Sequence, residues 1–119
     1  MRKIIFLSVI FILLAYNSKA QKFEFYQDTL KMKAEILKYI PLGTDTLTAQ
    51  KIMRKNKFKT TWNRNADFNS GQTRYKNLNY IYCDRSKSKG WITSRWQVAL
   101  VHKNGKIIKV INEFGLIGP

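Results

Sequence analysis

Trp96-Gln97-Val98-Ala99-Leu100-Val101-His102-Lys103-Asn104-Gly105-Lys106-Ile107-Ile108-Lys109-Val110-Ile111 is the stretch on which the reading of the fold turns. Two apolar runs of strand length flank Asn104-Gly105, and both of those residues tolerate the positive φ that a tight type I′ hairpin turn requires. The first run extends back to Trp91, so a long strand over Trp91–His102 is expected to pair antiparallel with Ile107–Ile111. Its centre, Trp96 to Val101, is apolar enough to be buried on at least one face.

Upstream the pattern repeats. Leu78-Asn79-Tyr80-Ile81-Tyr82-Cys83-Asp84 reads as another strand, and Phe58-Lys59-Thr60-Thr61-Trp62 as a further one. Between them Asn63 to Gln72 is rich in Asn, Asp, Ser and Gly and reads as a polar loop. Arg85-Ser86-Lys87-Ser88-Lys89-Gly90 reads as a second loop on the same grounds.

Before Phe58 the period is helical. From Thr29 to Ile40 the apolar residues Leu30, Met32, Ile36, Leu37, Tyr39 and Ile40 alternate with Lys31, Lys33, Glu35 and Lys38 at the spacing of an amphipathic helix. Asp28 is placed to cap it, and Pro41 with Gly43 ends it. Thr44-Asp45-Thr46 offers caps for a second helix running to about Lys55, with Leu47, Ala49, Ile52 and Met53 as a narrow stripe. Lys51, Arg54 and Lys55 put cations toward its C-terminus, where the dipole favours them, and Asn56 is a candidate left-handed terminator. Gln21 to Gln27, with Phe23, Phe25 and Tyr26, reads as an extended aromatic segment. The order of two helices and then three to four strands predicts an α+β domain, both helices packed on one face of an antiparallel sheet.

The chain's beginning has another character. Met1-Arg2-Lys3, an apolar run from Ile4 to Ala15, and Ser18 and Ala20 three residues and one residue before Gln21 form the pattern of a cleavable secretory signal. The run falls short of the roughly 20 residues of a spanning helix, and no Cys closes it for lipidation. Residues 1–20 are therefore expected to be removed, leaving residues 21–119 as one domain in the periplasm or outside the cell. That domain holds 19 of the 22 Lys and Arg and all seven Asp and Glu, a formal net charge of +12. Cys83 is the sole cysteine, so no internal disulfide is available, and its neighbours Ile81 and Tyr82 suit a buried thiol.

Ile40-Pro41-Leu42-Gly43-Thr44 leading into Leu47 to Phe58, then a terminal hairpin with a Gly turn, resembles the small bacterial envelope domain of β-lactamase-inhibitor-protein-like (BLIP-like) repeats. It is equally similar to the outer-membrane-assembly lipoproteins of the BamE (SmpA/OmlA) type. The ending Phe114-Gly115-Leu116-Ile117-Gly118-Pro119 resembles the Gly-Leu-x-Gly-Pro tail of some exported members with that layout. The resemblance covers about Leu30 to Pro119. It implies a fold, a compartment and a lean towards binding another envelope or secreted protein, while the missing lipidated Cys removes the membrane anchor.

Little enzymatic chemistry is available. One His and one Cys without clustered carboxylates do not fill a zinc or calcium shell, and no cofactor motif is present. Nothing in the spacing of Cys83 and His102 requires a dyad. A small basic ribonuclease is the enzymatic alternative, with His102, Glu113 and Arg95 as its acid–base and phosphate groups. Lys51, Arg54, Lys55, Lys57 and Lys59, interleaved with Phe58 and Trp62, form a basic stretch suited to an anionic membrane, polysaccharide or nucleic acid. Trp62 and Trp96 lie inside strand patterns and are expected in the core, which leaves Trp91 as the candidate exposed anchor for a partner. The expected recognition surface is the open sheet face with the loops Asn63–Tyr75 and Arg85–Trp91.

Overall fold

The computed structural model describes residues 21–118; the expected leader, residues 1–20, lies outside the described residues. Asp28 caps the first helix as its position predicts, its Oδ1 accepting from the amides of Leu30 and Lys31 at 2.9 and 3.0 Å. That helix, α1, spans Thr29–Tyr39, and α2 spans Thr46–Lys55. Asp45 caps α2 through the amides of Leu47 and Thr48. In each case the carboxylate satisfies free first-turn N–H groups and meets the positive end of the dipole.

Four strands follow: β1 Lys59–Ser70, β2 Thr73–Lys89, β3 Ile92–Lys103 and β4 Lys106–Ile117. They form one antiparallel sheet in the order β1-β2-β3-β4, so the α+β class and the order of helices before strands stand as read. Asn104 and Gly105 turn β3 into β4 with φ of 54° and 74°. The linker between the helices is tied to the start of β4: Gly43 N–H donates to Ile107 O at 2.7 Å and Ile107 N–H to Thr44 O at 2.9 Å.

Both expected loops are strand except at Gly71, Gln72 and Gly90, which are turns. Asn63 to Ser70 continues β1, and Arg85 to Lys89 continues β2 up to a turn at Gly90 and Trp91. A ladder pairs backbone with backbone, so polar side chains that face water do not interrupt it. At the end of α2 the left-handed residue is Lys57 (φ 66°), whereas Asn56 has φ −93°. Asn56 is buried and works through its side chain instead. Its Oδ1 accepts from Phe23 N–H at 2.7 Å, and its Nδ2 donates to Gln21 O and Ile52 O.

Successive residues of β2 and β3 divide between two buried clusters, as the pleat requires. Ile81, Cys83, Trp96, Val98 and Leu100 join Met32, Ile36 and Ile40, the α2 residues Ala49, Ile52 and Met53, and Phe23 and Phe58. Tyr80, Ala99 and Val101 join Phe68 and Ile111. The N-terminal segment belongs to the first cluster: Phe25 packs edge-on to Trp96 at 5.0 Å, and Trp96 Nε1–H donates to Tyr26 O at 2.8 Å.

The outer half of the β1–β2 hairpin closes over the second cluster. Register shifts between Asn63 and Ala66 and between Ala66 and Phe68, with Asn65 and Asn77 at positive φ, bend the ribbon. Phe68 then stacks edge-on to Tyr80 at 5.5 Å. The tip reaches β4, where Gly71 N–H donates to the Glu113 carboxylate and Lys109 Nζ lies 4.7 Å from the Tyr75 ring centre. A surface expected to be open is thereby partly covered.

Candidate functional site

Above Asp84 the sheet narrows to three strands. β1 starts at Lys59 opposite Asp84, so Arg85 to Lys89 pair with β3 alone, while β4 follows β3 to the Thr93–Ile117 pair. At this end Trp91 is 82% exposed, and Ile92, Leu116 and Ile117 are each about half exposed. Lys87 and Lys89 are exposed beside them. No acid lies within 85–95 or 114–118. The nearest, Asp84, is held by Arg95 through two contacts of 3.0 Å, and that carboxylate pushes the guanidinium pKa further up.

Trp91 is thus placed where an exposed anchor was expected. Trp96 is buried as expected, but Trp62 is 46% exposed and is not a core residue. It lies on β1, one of the two edge strands, where one flank meets no further strand among the described residues. Ile92, Leu116 and Ile117 were missed because an apolar pair next to glycine reads as the frayed end of a strand. Two consecutive apolar residues point to opposite faces, however, and at an uncovered sheet end both remain in water.

The basic stretch stays solvent-facing. Lys51, Arg54, Lys55, Lys57 and Lys59 are all exposed along α2 and the start of β1, with Arg54 Nε donating to Thr60 Oγ1 at 3.0 Å. A groove of about 560 Å³ runs beside Gln21, Thr48, Lys51 and Ile52. The acids do little to offset this charge. Two pair with arginines, Asp67 with Arg74 and Asp84 with Arg95. The other five accept from backbone amides or, for Glu24, from the Tyr26 hydroxyl.

His102, Glu113 and Arg95 do not converge. Arg95 is engaged by Asp84 and Glu113 by the Gly71 amide. His102 is seven residues along β3 from Arg95, about 23 Å at the usual strand rise. The Cys83 thiol is buried, with its pKa pushed far up by burial. Among the described residues no group of three or more His, Cys, Asp or Glu is placed to share a metal ion, and no helix is long and apolar enough to cross a membrane.

Comparison with protein-family models, with characterised proteins and with solved structures finds no match to this chain.

Proposed function

We propose that this protein is an exported, non-enzymatic binding module of the cell envelope, docking through the Trp91 end of its sheet. The observation that carries this reading is the exposure of Trp91 together with Ile92, Leu116 and Ile117 at one end, flanked by Lys87 and Lys89. Tryptophan and aliphatic side chains exposed on both faces of one sheet end favour contact over solvation, because burying them against a partner recovers about 25 cal/mol per Å² of apolar surface. Export rests on the leader pattern of residues 1–20, and the envelope setting on the resemblance to the BLIP-like and BamE-type domains. In this reading both helices seal one face of the sheet and leave its far end for recognition. The division of buried side chains into two clusters supports that arrangement.

A photo-reactive amino acid at position 91, with a control at position 104 in the opposite turn, tests the proposal in cells that make the protein. Adducts to an envelope component from position 91 and none from position 104 are expected. Equal labelling from both positions would remove the reading.

A second reading, attachment to an anionic polymer or surface through Lys51, Arg54, Lys55, Lys57 and Lys59, is favoured by the engagement of the acids in internal hydrogen bonds. Retention on heparin that disappears in moderate salt is its expected signature.

A further inference from the structure

At the end of the sheet remote from Trp91, a cleft of about 410 Å³ opens between Trp62, Asn63, Arg64, Asn79 and His102. These residues come from three adjacent strands: β1 supplies the first three, β2 Asn79 and β3 His102. The Trp62 indole stands at 65° to the imidazole with ring centres 5.4 Å apart, and it is half exposed. His102 Nε2 is shielded from solvent and has no hydrogen-bond partner among the described residues, a condition that calls for an explanation because a shielded polar atom normally has one.

The cleft is rich in donors. Arg64 contributes a guanidinium. Asn79 uses its Oδ1 to accept from Asn65 N–H at 2.9 Å, which turns its amide NH2 into the available end. Asn63 donates its Nδ2 to Thr61 O, leaving its Oδ1 as the single side-chain acceptor of the pair of amides. No carboxylate lines the space among the described residues. Beside these groups the indole offers a flat apolar wall, and a few convergent polar groups against such a wall is the usual make-up of a small-ligand site.

We infer that this cleft binds an oxyanion carried on a sugar-sized ring, the ring lying against Trp62 and the anionic group meeting Arg64, Asn79 and His102. The inference is independent of the docking surface at Trp91, since it uses the other end of the sheet. The free protein keeps His102 below its ordinary pKa, through burial first and the charge of Arg64 second. An anion seated between Arg64 and the imidazole offsets the charge of Arg64 and favours the protonated ring, so occupancy is expected to move the imidazole pKa upward.

His102 is the only histidine in the sequence, so its ring resonances in an NMR titration of the purified protein report on the cleft without assignment ambiguity. The probes are glucuronate, glucose 6-phosphate, inorganic phosphate and uncharged glucose, at constant ionic strength. Saturable shifts of the His102 ring with glucuronate or glucose 6-phosphate, and an upward pKa shift in their presence, are expected. Response to one and not the other identifies the anionic group as carboxylate or phosphate. Arg64→Gln, at an exposed position, is expected to weaken binding tenfold or more. Trp62→Ala is expected to weaken the ring-bearing ligands while leaving inorganic phosphate unchanged. Absence of saturable shifts with all the anions overturns the inference, as does an unaltered response in Arg64→Gln.

Discussion

Asn56 shows how much one polar side chain can organise. It sits at the end of α2, is buried, and holds the segment from Gln21 to Phe23 by two hydrogen bonds while closing on Ile52 O with a third. Its backbone oxygen also accepts from Arg85 Nη1 at 2.7 Å, and that guanidinium lies 4.1 Å from the Phe25 ring centre. Removing the amide strands a buried N–H and a carbonyl, each costing about 1–3 kcal/mol when unmet. Asn56→Ala is therefore expected to lower unfolding free energy by about 2–4 kcal/mol in urea denaturation, with early proteolysis at Gln21 to Tyr26. The sequence announced Asn56 as a helix terminator, and position was legible where role was not: its partners Gln21 and Phe23 lie over thirty residues earlier. Cys83 was easier to read, because its apolar neighbours marked burial. Its thiol is expected to resist a disulfide reagent in the native state and to react at once in denaturant, since the thiolate is the reactive form and burial suppresses it.

Among the elements, the β1–β2 hairpin departs most from what the pattern of residues implied. Helix caps, the Asn104-Gly105 turn and the apolar centres of the strands carry strong local signals, and these were legible. Asn63 to Gln72 carries almost none, because its ladder is held by backbone pairing and by Phe68 and Ala66, whose cluster partner Ile111 lies forty-three residues beyond Phe68. Phe68→Ala removes that anchor and is expected to speed amide hydrogen exchange across 64–79 while leaving β3 protected, since the outer hairpin opens as a unit. The ion pair of Arg74 with Asp67 at 2.9 Å adds a pH dependence. The hydrogen bond from Arg74, then the Asn77 amide, holds the Asp67 carboxyl below its ordinary value. A lowered folded-state pKa means the contribution is complete above the unfolded value near 4 and is lost as pH falls through the lower folded value. Exchange across the hairpin tip is expected to accelerate below about pH 4, and Asp67→Asn is expected to flatten that response. The candidate sites were only half visible for a related reason. Trp91 stands out by residue type, whereas the cleft at His102 is assembled from three strands whose bends the sequence does not display.

For the whole molecule the governing quantity is charge. Residues 21–119 carry a formal +12, spread over a body of 60 × 35 × 21 Å, with two ion pairs found among the described residues. Such an excess works against the compact state by self-repulsion, and it is screened over about 10 Å at 0.1 M salt. The thermal midpoint is accordingly expected to rise by about 2–5 °C between 10 and 300 mM NaCl, a change worth about 0.4–1 kcal/mol for a domain of this size. Reversing Lys87 and Lys89 to Glu separates the two consequences of the charge. The formal net charge falls to +8, so the midpoint at low salt is expected to stay level or rise, because exposed substitutions of this kind move stability by about 0.5 kcal/mol or less. If the protein docks through the Trp91 end as proposed, labelling of envelope components from position 91 is expected to fall in the same variant, since flanking lysines would steer an anionic partner to that end. A variant that is more stable yet docks less well would show that these lysines are kept for contact at a cost to the fold. A variant that docks unchanged would leave Trp91 and its aliphatic neighbours as the whole of the surface.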